Sequence, residues 1–295
     1  MNFTIKEPMP PLWIIYPGIS RYSIGWRMGY GEGYKYDFWE WFESLTKDEQ
    51  NVYKEMFPEP KLWREIYNED YDFEDADDYE YETVQFWNKN GICQYSREKI
   101  IDEYNANGEM EFVFFWKPQD EMINESCLGQ WQLSEFSVDM DDYCCAEQYM
   151  MAEKARLFKD EEICNVIMKS KDPKEMKSLG KKAKNFDQAV WDKAKYSIVL
   201  NGNYYKFSQN KNIRDYLLST ENKVLVEASP RDTIWGIGLG KGNEKAYNPN
   251  TWRGKNLLGF ALMEVRDEIR KVYKNYDKIN WDKVFEKYGV CIYKE

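Results

Sequence analysis

Within CAEQYMMAEKARLF, residues 145–158, two side chains stand out as capable of chemistry. At 100° per residue, Glu147, Met150, Met151, Lys154, Leu157 and Phe158 fall on one face of a helix. Gln148, Ala152, Glu153 and Arg156 fall on the opposite face, which is expected to meet solvent. The first face is an apolar stripe that carries an acid and a base two turns apart. Burying an unpaired charge costs several kcal/mol or shifts its pKa. Three arrangements therefore satisfy the pattern: a buried ion pair, side chains reaching solvent at the ends of the stripe, or a cleft lined by both. In the cleft, a lysine beside a carboxylate in a partly dry pocket suits imine formation at a sugar carbon. Spacing alone leaves all three open.

The other candidates are weaker one by one. In SPRDTIW, Asp232 follows a proline and an arginine, where an aspartate ordinarily stabilises a turn. Trp191, on a predicted helix, reads as core. The glycines of WGIGLGKGNEK look like a phosphate cradle, but a glycine is missing where either dinucleotide template needs one: Lys241 and Asn243 stand there instead. Backbone amides in that segment, with Arg231 or Lys241 nearby, retain the capacity to hold a diphosphate. The chain has no histidine, which removes Ser-His and Cys-His nucleophiles, His-ligated zinc and the usual neutral-pH base. Catalysis must then rest on carboxylate, lysine, tyrosine or cysteine with a tuned pKa. The six cysteines (Cys93, Cys127, Cys144, Cys145, Cys164, Cys291) show no C-x-x-C spacing and read as small buried hydrophobes. No metal-ligand cluster has plausible spacing, so no metal is expected.

These residues need elements to position them. EFVFFW (111–116), KVLVEAS (223–229) and TIWGIGL (233–239) are strand candidates. Helices are expected at DEEICNVIMKS, after the Asp172-Pro173 N-cap and N1 pair, and after an Asp187 cap with Val190, Ala194 and Ile198 inward. A long last helix is expected after an Asn256 cap, with Leu258, Leu262, Val265, Ile269 and Val272 at core spacing. Towards the start of the chain, PPLWIIYPG reads as extended, GWRMGYGEGYKY as a loop and DFWEWFESL as a short helix. Thr46 and Glu49 form a capping-box pattern for a further helix that Pro58 stops. Helices and short strands without a βαβ repeat indicate an α+β fold.

Composition and charge divide the chain. Aromatic residues make up 17% and hydrophobic residues 43%, enough to fold. The net charge is −11, but residues 1–110 carry 11 Lys/Arg against 23 Asp/Glu, whereas the remainder is near balance at 30 against 29. The first third is therefore unsuited to gripping a nucleic-acid backbone, while the remainder is compatible with a small anionic ligand. No membrane span and no secretory leader is visible, which predicts a cytoplasmic protein. The expected organisation is an aromatic-rich unit with a packed aromatic core at 1–66, an acidic linker at 67–90 and a larger domain at 91–295.

Several long segments together carry a family resemblance: AEQYMMAEKARLF, FDQAVWDKAKYSIVLNGNYYKFSQN, LLST, LVEASPRDTIWGIGL and WRGKNLLGFALMEVRDEI. From about 112 to 272 the chain resembles the NADAR (YbiA-like) family. The resemblance implies a helix-rich single domain with a small sheet, preceded here by the smaller aromatic-rich unit, which has no counterpart in the minimal family domain. It implies an N-glycosidase that cleaves ribosides from a base-like amine without a cofactor. Expected substrates are ADP-ribose attached to guanine in DNA or nucleotides, or the phosphorylated ribosylaminopyrimidine intermediates of riboflavin synthesis. Some members reverse DNA modification by ADP-ribosyltransferase toxins, so such a toxin is a candidate partner, in a repair or defence role. The family's functional acid falls on Glu147, its lysine on Lys154, its aspartate on Asp232 and its tryptophan on Trp191. The expected catalytic set is Lys154, Glu147 and Asp232, with Trp191, Trp116, Gln148, Ser229, Arg231, Trp235, Gly236 and Asn256 as substrate contacts. Ahead of the helix, LGQWQLSEF replaces a stretch that is commonly Ser/Asn/Pro-rich in the family, which implies an altered substrate preference. A non-catalytic ADP-ribose-binding or interaction module is the alternative of another class, and the intact acid, lysine and aspartate speak against it.

Overall fold

The computed structural model describes residues 3–68, 84–119 and 123–289, which group into two compact units. Most of the acidic segment (69–83) and Cys291 lie outside the described residues.

One unit is formed by Met1–Glu80, Ser137–Asp141 and Glu268–Glu295. Its helices include α1 (Leu12–Ile15), α2 (Glu32–Ser44) and α3 (Lys47–Met56). PPLWIIYPG is not extended: the carbonyl of Pro11 accepts from the amides of Ile14 and Ile15 and closes one helical turn. α2 likewise starts inside the glycine-rich segment, at Glu32, six residues ahead of the phenylalanine-tryptophan run at Phe38. The Thr46–Glu49 capping box at the start of α3 is present in both directions, as the sequence predicts. Trp13, Trp26, Phe38 and Tyr53 are fully buried. Trp13 and Trp63 lie 5.7 Å apart and Phe42 and Tyr53 5.6 Å apart, centroid to centroid. Tilted and edge-on ring pairs of this kind add about 0.5–1.5 kcal/mol each beyond the area they bury. Some polar ends of the rings are also satisfied: Tyr53 Oη donates to the Met9 carbonyl at 2.8 Å, and Trp26 Nε1 to that of Ser20 at 2.8 Å, whereas Trp13 Nε1 is buried without a partner. The aromatic density of this segment is a packed core, as expected.

The second unit comprises Tyr81–Phe136 and Asp142–Asp267. It contains α4 (Arg97–Asn107) and strand β1 (Phe112–Phe115). Short strands β2 (Phe136–Val138) and β3 (Asp141–Tyr143) pair with each other just ahead of α5 (Ala146–Leu157); Ser137–Asp141 of this hairpin is assigned to the first unit. Then follow α6 (Glu161–Lys169), α7 (Pro173–Gly180), α8 (Gln188–Gln209), α9 (Lys211–Ser219), β4 (Val224–Glu227) and α10 (Leu257–Val272); the last turn of α10, from Glu268, and α11 (Trp281–Tyr288) belong to the first unit. β1 and β4 pair in parallel, Phe112 opposite Val224 and Phe115 opposite Glu227. Asp160, Asp172 and Asp187 each cap the helix that follows through a side-chain oxygen.

Four expectations are corrected here. TIWGIGL is a series of turns, because Asp232 Oδ1 accepts the amides of Ile234 and Trp235 at 2.9 and 2.8 Å and Gly238 adopts φ +67°. Asn256 does not cap α10 with its side chain. Its Oδ1 accepts from the Glu227 amide at 3.0 Å and its Nδ2 donates to the Leu225 carbonyl at 2.9 Å, so it is spent on the edge of β4. Val190 is 43% exposed, whereas Trp191, Ala194 and Ile198 are buried. Finally, the face of α5 assigned to solvent is buried as well. α6, α7 and α8 all pack on α5, and Gln148, Ala152 and Glu153 are each less than a tenth exposed. Glu153 is tolerated there because it pairs with Arg156, which also donates to Tyr143 Oη at 2.9 Å. Close approach is needed on this side: a Cβ on Gly202 of α8 would meet the Tyr149 ring at 2.6 Å.

No helix among the described residues is long and apolar enough to cross a membrane.

Candidate active site

The C-terminal ends of the two parallel strands, where ligand sites of open sheets collect, open into a cavity of about 640 Å³. Trp116 and Lys117 enter it directly after β1. Glu227, Ser229, Arg231, Asp232 and Trp235 enter it at and after β4. α5 supplies Glu147, Met150, Met151 and Lys154 from one face, with Lys177 from α7 and Trp191 from α8 opposite. The apolar stripe with two charges is therefore the wall of a cleft.

Glu147 sits in the first turn of α5, and its amide donates to the Gln130 carbonyl at 3.0 Å. It is 4% exposed. Burial pushes its carboxyl up to about 7, against the opposing pull of the Lys177 charge and a hydrogen bond from Trp131. Lys154 forms no ion pair among the described residues, with Glu147 or any other acid. Its ammonium instead stands 4.3 Å from the Phe186 ring centroid and 5.2 Å from that of Trp191. Partial burial, and then the nearby Lys181 charge, lower its pKa. A lysine held this way is easier to deprotonate and therefore more nucleophilic.

Asp232 does two jobs at once. One carboxylate oxygen organises the turn after β4, while the other lies 3.8 Å from Lys177 Nζ. Lys177 in turn stands 5.8 Å from the centroid of Trp131. The acids of the cavity, Glu147, Glu227 and Asp232, thus share one close ammonium. Lys117, Lys154, Lys181, Lys195 and Arg231 also line the cavity. Cations outnumber acids there, although the whole chain is strongly negative. Acids together with a surplus of cations suit a ligand that combines a reacting centre with anionic groups.

Of the sequence candidates, the cavity brings together Glu147, Lys154, Asp232, Trp191, Trp116, Ser229, Arg231 and Trp235. Gln148, Gly236 and Asn256 take no part in its wall. Gln148 is fully engaged with backbone, accepting from the Cys144 amide at 2.8 Å and donating to the carbonyls that end α6. Gly236 is packed so closely that a Cβ would lie 2.8 Å from the Glu227 carbonyl, and Asn256 is committed to β4. Sequence reasoning missed several contributors, Glu227 and Lys177 among them. Glu227 was detectable in principle, as the one charge of an otherwise apolar strand, VLVE. Lys177 had no signal, since it is one lysine among several on a polar helix.

Comparison with known proteins adds an independent finding. The family model described as "NADAR domain" matches residues 114–270. The N-glycosidase R617 of Acanthamoeba polyphaga mimivirus is 42% identical over 163 residues, covering 54% of this chain and 96% of that protein. The riboflavin biosynthesis protein PYRR of Zea mays is 34% identical over 112 residues, covering 37% of this chain and 16% of that protein. Among solved structures, that of the Escherichia coli protein YbiA aligns at a TM-score of 0.45 and 24% identity, covering 55% of this chain and 86% of that one.

Proposed function

This chain belongs to the NADAR domain family, and we propose that its cavity is the active site of an N-glycosidase acting on a phosphorylated riboside. Membership is supported by the near-complete coverage of a viral N-glycosidase. The observation that carries the reading is the joint placement of buried Glu147 and unpaired, partly desolvated Lys154 on one cavity wall. In the proposed reaction the bond between the ribose anomeric carbon and a base nitrogen breaks through an oxocarbenium-like transition state, which the carboxylates of Glu147 and Asp232 stabilise. Lys154 Nζ takes C1′ and forms an imine with the opened ribose. Glu147, poised near neutrality, transfers protons as water releases the sugar. Asp232 orients ribose hydroxyls, Trp191 walls the lysine off from water, and the cations along the walls hold phosphate.

Within this class we assign ADP-ribose on guanine, in a nucleotide or in DNA, as the preferred substrate. A cavity of about 640 Å³ with several separated cations suits a diphosphate-bearing ligand better than a single phosphate. The second reading, a ribosylaminopyrimidine phosphate of riboflavin synthesis, is favoured by the similarity to the maize protein.

Incubation with ADP-ribosylated guanine DNA and, separately, with a ribosylaminopyrimidine phosphate tests both. Release of guanine-bearing DNA free of ADP-ribose is the expected result. Turnover of the pyrimidine alone reverses the preference, and tight ADP-ribose binding without turnover of either substrate replaces catalysis by a binding role. Borohydride added during turnover traps a ribosyl adduct on Lys154. Lys154→Ala forms no adduct and loses on the order of 10³-fold or more in kcat; an active Lys154→Ala enzyme would exclude the covalent route.

A further inference from the structure

Glu227 is the acid of the cavity that the mechanism above does not use. It is the last residue of β4, opposite Phe115, and its backbone is fixed at both ends: its amide donates to Asn256 Oδ1 and its carbonyl accepts from Ile237 at 3.0 Å. Its side chain lines the cavity, yet Oε2 has no surface open to solvent and no hydrogen-bond partner. An orphaned carboxyl oxygen in a dry position is costly unless a ligand or a proton answers it.

The neighbours decide which. Glu147 from α5 and Asp232 from the turn after β4 both act on Glu227 as negative charges, and Lys177 from α7 as the opposing positive one. Lys154 and Arg231 add positive charge elsewhere on the wall. Glu147 receives a hydrogen bond from Trp131, which favours its ionised form, and Asp232 accepts two from backbone amides and faces Lys177. Glu227 has no such donor. One ammonium among three carboxyls leaves the trio overcharged when all are ionised, and the proton belongs on the member with no donor to support a negative charge.

We propose that Glu227 is a further catalytic residue: a carboxylic acid, protonated in the resting enzyme, that protonates the departing base nitrogen. As the C1′–N bond breaks, its electron pair stays on the nitrogen, which takes the proton from the Glu227 carboxyl. The attacking pair, from Lys154 Nζ or from water, completes C1′. The Glu227 carboxylate recovers a proton from the water consumed, so one water enters and one N–H and one sugar hydroxyl result. Burial first, then Asp232, pushes the Glu227 pKa up to about 8, the range in which such an acid stays loaded at neutral pH.

The proposal rests on the glycosidase reading, and leaving-group chemistry separates the two. Glu227→Gln keeps the shape and a hydrogen-bond donor but has no proton to give. The probes are ADP-ribose joined to the exocyclic amine of guanine, which needs a proton to depart, and 4-nitrophenyl riboside 5-phosphate, whose phenolate does not. The expected result is a loss of about 10²–10⁴-fold in kcat on the guanine adduct, with KM nearly unchanged and less than tenfold loss on the nitrophenyl riboside. The wild-type kcat for the adduct falls as pH rises through about 8, and the variant lacks that fall. An E227Q enzyme that keeps full activity on the adduct, or loses equally on both probes, overturns the acid role. Wild-type enzyme inert on both probes and on the ribosylaminopyrimidine phosphate overturns the glycosidase reading itself.

Discussion

Glu147 shows how one residue links stability to function. Its carboxyl is raised from 4.5 to about 7 by burial, so between those values the folded state holds a proton that the unfolded state has released. Stability attributable to this group is therefore fully present below about pH 4.5 and declines as pH rises towards 7 and beyond. Glu227 adds a decline of the same sign up to about pH 8. The expected outcome is that Glu147→Gln flattens the fall in Tm between about pH 5 and 8 and is more stable than wild type at the upper end, by on the order of 1 kcal/mol or more, while losing activity. Differential scanning calorimetry of both proteins across that range checks it. A Glu147→Gln protein with an unchanged slope would mean that the carboxyl is solvated in solution.

At the scale of elements, the site depends on how β4, the turn after it and α10 are tied together. Asn256, in the left-handed region at φ +56°, closes that junction with both ends of its amide. Gly259 in the first turn of α10 sits directly on the Leu225 carbonyl, with no room for a methyl group. Asn256→Ala leaves a buried amide and a buried carbonyl without partners, each worth about 1–3 kcal/mol. Denaturant unfolding is expected to show a loss of roughly 2–4 kcal/mol by that reckoning. Activity per folded molecule should fall too, because the amide of Glu227 is one of the two groups released. Asn256 and Gly236, read from the sequence as substrate contacts, thus matter to the site by shaping its floor.

For the whole molecule, the contrast is between a chain of net charge −11 and a cavity whose walls carry more cations than acids. The negative remainder repels phosphorylated ligands at long range, and the cavity attracts them at short range. Salt screens both, but the exposed charges more strongly. KM for a phosphorylated riboside is therefore expected to change by only about two- to fivefold between roughly 0.05 and 0.3 M salt. Inorganic pyrophosphate should compete with substrate. Steady-state kinetics over a salt series checks this, and a change of a hundredfold would indicate a broad electrostatic surface in place of a local site.

The sequence by itself determined the α+β class, the helix starts at Asp160, Asp172 and Asp187, the Thr46–Glu49 box and the buried spine of α10. These features arise from contacts within a few residues or from a regular apolar period, and both are written along the chain. It also carried the family motifs that single out Glu147, Lys154, Trp191 and Asp232. Only the tertiary structure decided whether the charges of α5 pair with each other or face a common space, since that depends on where β1, β4, α7 and α8 come to rest around the helix. For the same reason it alone revealed Lys177 and the orphaned oxygen of Glu227, and it buried the α5 face that periodicity had given to solvent. Amphipathic spacing separates polar from apolar side chains, but it says nothing of how many neighbours a helix will have, and α5 packs against α6, α7 and α8 while its remaining face lines the cavity.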